Sequence, residues 1–200
     1  MSRQPRFDID LLMDFLILLA TLIWLPLVPL RLFLHSGIGF WKDKGGKSYL
    51  FFLVYWVLFG LLLLIFAPKF VAWKFAPFHG SFETGLLLVV SALLFHLWTI
   101  RTLGLKTFST RPEVTPEKVK ATLVATGPYR LVRHPFYFME WFLLLGIALV
   151  TSSWMMVSIL VANILTIPWV TTFEEKELTQ RFGESYREYQ RQVPRLIPFI

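Results

Sequence analysis

Residues 141–173 read WFLLLGIALVTSSWMMVSILVANILTIPWVTTF, 33 consecutive positions without a charge. As one helix at about 1.5 Å per residue this stretch would run about 50 Å, far more than the roughly 30 Å of a bilayer's hydrocarbon, so the chain must turn inside it. The polar triplet Thr151-Ser152-Ser153 is the natural turn and divides the stretch into arms at 136–151 and 154–173. A hairpin returns to the side it left. Whatever polar groups precede the first arm and follow the second are therefore brought to the same membrane mouth.

Working outward, the rest of the chain supports the same class. Of its 200 residues 56% are hydrophobic, 17% aromatic and only 16% charged, which lies outside the soluble range and marks an all-α membrane protein. Residues 11–34 are apolar apart from Asp14 and Arg31 and carry Pro26 and Pro29; residues 48–68 and 84–100 hold no charge. With the two arms these make five spans, the last two a tight hairpin whose short first arm must recruit Glu140. Arg3 and Arg6 precede an apolar stretch, but Asp8, Asp10 and Asp14 intrude without a small-residue cleavage pattern, so this reads as a retained anchor rather than a removed signal. The absence of cysteine excludes disulfides, thiolate metal sites and a cysteine nucleophile.

The net charge of +7 points to membrane orientation rather than nucleic acid, which would need a soluble basic face. Sixteen Lys and Arg fall beside the mouth that receives 31–47, 101–133 and the tail from 176, against four on the other side. By the positive-inside rule that mouth and the C-terminus are cytoplasmic and the N-terminus is outside. From Glu174 onward Leu178, Phe182, Tyr186, Tyr189 and Val193 recur at helical spacing between charges, predicting an amphipathic helix ended by Pro194 and Pro198. Thr115-Pro116-Glu117 has the form of a helix start. The chain divides into a three-span bundle over 1–100 and a core over 101–200, in one integrated domain.

The segment before the hairpin, Gly127-Pro128-Tyr129-Arg130-Leu131-Val132-Arg133-His134-Pro135-Phe136-Tyr137, is a polar hinge in a hydrocarbon-rich chain, and Glu174-Glu175 follows the second arm. Taken singly, Arg130 and Arg133 read as cytoplasmic anchors and the tyrosines as an aromatic belt. An imidazole and two carboxylates beside hydrocarbon need partners, and a mouth that gathers cations, His134 and a glutamate suits a polar, charged cofactor. Glu140 in a first helical turn reads either as dipole-favoured and headgroup-facing or as part of a substrate pocket. His96 reads as a helix-packing or interfacial histidine, and His35 and His79 as loop residues without a partner. A metal site is not expected, because His134 and Glu140 lie on different sides of a helix.

The order Leu123-Val124, Gly127-Pro128-Tyr129, Arg133-His134-Pro135-Phe136-Tyr137, hairpin, Glu174-Glu175, then 182–189 (FGESYREY) and 193–198 (VPRLIP) resembles the isoprenylcysteine carboxyl methyltransferase family and its phospholipid methyltransferase relatives. The likeness covers the second half of the chain. It implies an integral membrane methyltransferase that uses S-adenosylmethionine and leaves S-adenosylhomocysteine. It also implies a cofactor site formed by Ala121 with Thr122, Leu123 and Val124, by Tyr129, by His134, Pro135, Phe136 and Tyr137, and by Glu174. The acceptor is expected to be a lipophilic or amphipathic molecule entering from the bilayer, among membrane lipids. Arg133, Glu140 and Glu175 are the candidates for a catalytic part.

Two positions depart from the resemblance. Val170 stands where the prenylcysteine enzymes place an arginine for the substrate carboxylate, and Met139, followed by Glu140, stands where a glycine is usual. A carboxylate in hydrocarbon without a bidentate cation is expensive, which argues against a prenylcysteine substrate unless another arginine substitutes. The other readings are a sterol-type reductase of related membrane core that uses NADPH, and a catalytically degenerate membrane scaffold.

Overall fold

A computed structural model of the chain describes residues 9–44, 47–104 and 122–198. The predicted helix start at Thr115-Pro116-Glu117 and the cofactor-segment residue Ala121 lie outside these. The helices are α1 Ile9–Ser36, α2 Ile38–Lys44, α3 Lys47–Ala72, α4 Ser81–Leu103, α5 Pro135–Thr151, α6 Trp154–Phe182 and α7 Glu184–Gln192. Among the described residues α1, α4, α6 and the 50–72 portion of α3 are long and apolar enough to cross a bilayer, and α5 is a shorter apolar helix of 17 residues.

The hairpin turns where the polar triplet predicts. Ser152 adopts a left-handed conformation (φ 53°) as the cap of α5, and the Ser153 side chain accepts a hydrogen bond from the Met156 N–H to start α6. The linker after α3 is laced to this turn: Phe75 N–H donates to Ser152 O at 2.8 Å and Trp154 N–H to Trp73 O at 3.0 Å. Just above the turn, Ile17 and Ala20 of α1, Leu144 and Ala148 of α5, and Met155, Met156, Ile159 and Leu160 of α6 form one buried cluster. At the same end Lys74 pairs with Asp14 at 2.7 Å, so the first acidic residue of span one has a partner.

Helix α4 lies along α5 with main chains nearly touching. A Cβ built on Gly85 would stand 2.8 Å from the Gly146 carbonyl oxygen, so only glycine fits at this crossing, as expected where membrane helices associate by close backbone approach. Helix α3 stays at the periphery with Leu61, Leu64 and Ile65 exposed toward what would be lipid. Such a face is apolar because no water is there to reward polarity.

Two predicted boundaries change. The single amphipathic tail helix from Glu174 is instead divided: α6 runs on unbroken through Glu174 to Phe182, about 43 Å at about 1.5 Å per residue, and the break falls at Gly183. Intrahelical bonds do not depend on whether the solvent is lipid or water, so leaving the hydrocarbon is no reason for α6 to stop. Gly183 takes a positive φ (59°) that glycine adopts freely, which lets the chain turn into α7; that helix buries Tyr186 and Tyr189 and ends at Gln192. The second change is α2, a short helix carrying Trp41 into an aromatic cluster with Phe33, Phe51 and Phe52, where only a loop was expected.

Candidate active site

The hinge begins in a tight 3-10 turn over Gly127–Arg130. Gly127 sits at φ 57°, and a Cβ there would meet the Thr102 hydroxyl at 2.8 Å, which fixes the turn against the end of α4. Val132 is buried, and His134 then caps α5 with Pro135 at the first helical position, where a missing N–H costs nothing. The tail returns to meet this hinge backbone to backbone: Arg133 N–H donates to Pro194 O at 2.9 Å and His134 N–H to Arg195 O at 3.1 Å.

Between hinge and tail stand the two glutamates, facing different tasks. Glu175, only 5% exposed, accepts from Arg133 Nε at 2.7 Å and lies 3.2 Å from His134 Nε2 through Oε1. Its Oε2 accepts from Arg195 Nη2 at 2.9 Å and from Gln190 Nε2 at 3.2 Å. Arg133 also donates to the carbonyls of Gln190 and Val193. Glu175 is thus the hub that ties α5, α6, α7 and the tail together, and its lone pairs are committed to protein donors.

Glu174 is different. Its Oε2 lies 3.4 Å from His134 Nδ1, an ion-pair distance without hydrogen-bond alignment, and this buried oxygen has no hydrogen-bond partner. Tyr137 hydrogen-bonds the same carboxyl group and stacks on the His134 ring with centroids 5.9 Å apart. Burial is the largest influence on His134 and disfavours its charged form, but the Glu174 and Glu175 carboxylates outweigh it and hold the imidazole above its ordinary value. Burial, reinforced by Glu174, pushes the Tyr129 phenol up, so it stays neutral; its carbonyl accepts from the Tyr189 hydroxyl at 2.6 Å.

Of the sequence-predicted residues, the structure brings together Arg133, His134, Tyr137, Glu174 and Glu175, with Tyr129 beside them. Pro135 is buried in the first turn of α5, and Phe136 packs its ring against His96 at 5.7 Å. Thr122 is exposed and Leu123 and Val124 half-buried in irregular chain before the turn; none of the three hydrogen-bonds to the carboxylate cluster. His96 bonds within its own helix, Nδ1 to Ala92 O at 2.7 Å, rather than between helices.

Glu140 does not face the headgroups. It is 4% exposed and is held bidentately by Arg31 of α1, Nη1 to Oε1 and Nη2 to Oε2 both at 2.9 Å, with Asn163 Oδ1 accepting from Arg31 Nη1 at 3.2 Å. Arg31 also stands 5.0 Å from the centroid of the Tyr137 ring. His35 is not a loop residue but the buried last turn of α1. Arg31 and Asn163 escaped the sequence reading; the signal for Arg31 was its position, a lone cation near the end of an apolar span, which demands a partner.

A bundle of apolar helices with a cluster of buried carboxylates, arginines and an imidazole at one end defines an integral membrane protein. The comparisons then place it: residues 81–185, just over half of the chain, match the family model for phospholipid methyltransferase, and the chain belongs to that family. It is similar to a methanethiol S-methyltransferase of Crocosphaera subtropica, 36% identical over 129 residues, 62% of this chain and 47% of that protein. It is also similar to the cobalt-zinc-cadmium resistance protein CzcN of Cupriavidus metallidurans, 37% identical over 78 residues, 38% of this chain and 36% of that protein. The chain therefore spans about half, or less, of the length of these curated relatives.

Proposed function

We propose that the chain is an integral membrane methyltransferase that takes its methyl group from S-adenosylmethionine at the Glu174 mouth. The observation that carries this reading is the buried Glu174 Oε2 without a hydrogen-bond partner, set beside stacked His134 and Tyr137 rings. The donor molecule fits these groups: its ribose hydroxyls and ammonium are hydrogen-bond donors for that oxygen, and its sulfonium suits an aromatic face. Thr122, Leu123, Val124, Tyr129, Pro135 and Phe136 would complete the surrounding walls.

When bound, the cofactor supplies an electrophilic methyl group for in-line displacement by an acceptor lone pair. The chain's own residues then have three jobs. Glu174 and Tyr137 orient the bound molecule, the aromatic and apolar wall excludes water, and the Glu175 network keeps hinge, α6 and tail in register so that positions hold to a fraction of an ångström. The site faces the cytoplasm in this reading, as the basic residues beside it indicate.

For the acceptor, the arginines favour an uncharged, soft nucleophile such as a thiol. Val170 is buried, and Arg31, Arg133 and Arg195 each already hold a glutamate, so none of these three offers an acceptor carboxylate a free fork. The methanethiol S-methyltransferase relative points the same way.

Isothermal titration of the purified chain tests the donor. S-adenosylhomocysteine should bind and NADPH should not; the reverse would turn the reading toward a reductase. Glu174→Gln should weaken that binding by about 1–3 kcal/mol through loss of a charged acceptor, and unchanged affinity would remove Glu174 from the site. Labelled methyl transfer into thiol, amine, phospholipid and prenylcysteine acceptors should be fastest into the thiol. A preference for prenylcysteine would refute the argument from the occupied arginines.

A further inference from the structure

The family match begins at residue 81, yet the guanidinium over the Tyr137 ring, 5.0 Å from its centroid, comes from Arg31 of α1. Arg31 and His35 are four positions apart in one helix and so share a face, one turn above the other. Helix α1 packs on α5 and α6, which carry Tyr137 and Glu174.

Both residues are features that a fold would be better without. The Arg31–Glu140 pair takes two charges out of water inside a span, a sacrifice that apolar side chains of similar volume would match or improve on. His35 is 8% exposed, and its Nδ1 is buried with no hydrogen-bond partner, an open valence like that of Glu174 Oε2. It lies one helical turn from Arg31, whose guanidinium stands 5.0 Å from the centroid of the Tyr137 ring, so its open valence belongs to the same end of the bundle as that of Glu174. Arg31, locked on one side by Glu140 and Asn163, holds its planar guanidinium near the face of Tyr137, whose hydroxyl bonds Glu174.

We propose that the first span is part of the active site: one face of α1 forms a wall of the donor pocket, with His35 a ligand-contacting residue through its free ring nitrogen and Arg31 a positioning residue that fixes Tyr137 against Glu174. This rests on the donor reading above. It accounts for a buried ion pair and an open ring nitrogen on one face of a helix outside the matched segment. The chemistry His35 recognises is a hydroxyl, amine or carboxylate of the bound ligand at hydrogen-bond range.

The test separates a ligand role from a structural one by measuring both quantities on the full chain in detergent. His35→Phe and the double variant Arg31→Met with Glu140→Met each remove polarity without leaving a charge unpaired. Their melting temperatures without ligand should be unchanged or higher, while affinity for S-adenosylhomocysteine falls by about tenfold, the value of one good hydrogen bond or one lost orientation. Affinity within about twofold of wild type in either variant overturns the proposal. So does a loss of affinity that only accompanies a matching loss of melting temperature. Should the double variant not fold, Arg31→Lys keeps the charge but not the planar fork, and must show the same loss at an unchanged melting temperature. If the wild-type chain binds no S-adenosylhomocysteine, the donor reading fails and this one with it; if the wild type binds and the variants bind equally, only the wall is refuted.

Discussion

Substituting Glu175 with glutamine keeps the shape of the side chain and removes its charge. The amide's single oxygen can still accept from Arg133 Nε, now 2.7 Å from the carboxylate, but its NH2 then faces the Arg195 Nη2 and Gln190 Nε2 donors at 2.9 and 3.2 Å, donor against donor. Arg133 and His134 are nearly sequestered from solvent, so Arg133 loses its counter-charge where water cannot replace it and His134 keeps only that of Glu174. Breaking a buried pair in this way costs about 3–5 kcal/mol. The Arg195 side chain is 40% exposed, and screening holds its share to about 0–1 kcal/mol. For a chain of this length each kcal/mol moves the melting temperature by about 2–4 °C, so Glu175→Gln should melt about 6–20 °C below wild type. Fluorescence-detected melting in a mild detergent reads this directly. A loss of under about 3 °C would refute the view of Glu175 as the structural hub. The neighbouring Glu174→Gln supplies the contrast: it keeps an oxygen for Tyr137 and removes only one of the two carboxylates beside His134, so it should lower the melting temperature by less than Glu175→Gln does.

The remaining expectations follow from other parts of the molecule. Because His134 titrates above its unfolded value of about 6.5, the stability its protonated ring provides is fully present below that pH and is lost as pH rises through the higher folded value. Melting temperature should therefore fall from about pH 6.5 upward in wild type and more weakly in His134→Gln; parallel slopes would exclude His134 as the titrating group. Gly85→Leu forces a Cβ to 2.8 Å from the Gly146 carbonyl oxygen and should cost at least about 1–3 kcal/mol, whereas Gly39→Ala, with nothing within 4 Å, should be neutral; equal melting temperatures would refute the close α4–α5 crossing. A topology reporter fused at the C-terminus should read cytoplasmic, and a signal from the other compartment would reverse the orientation assigned to the site.

Much of the site was legible because it follows from length and charge alone. Thirty-three uncharged residues cannot cross once, the turn had a single polar candidate, and a hairpin must return His134 and Glu174 to one place. What was not legible depended on contacts between distant parts of the chain. Glu140 was read by the local rule for acidic residues in a first turn, but its partner lies 109 positions earlier, and no local pattern announces that pairing. His35 reads as loop because the apolar run ends at Leu34, yet α1 continues to Ser36. The tail boundary failed for a related reason: the change from apolar to charged composition at Glu174 marks the edge of the hydrocarbon, while only Gly183 marks the end of a helix.

The stitch between the α3–α4 linker and the Ser152–Trp154 turn is made by main-chain groups, Phe75 N–H to Ser152 O and Trp154 N–H to Trp73 O. Bonds of that kind are indifferent to which side chains are present, so this end of the hairpin tolerates sequence drift that keeps the backbone path. The opposite end depends on the identities of Arg133, His134, Glu174 and Glu175. Divergence can therefore rework the lipid-facing and turn-proximal surface without retuning the end where these four residues meet.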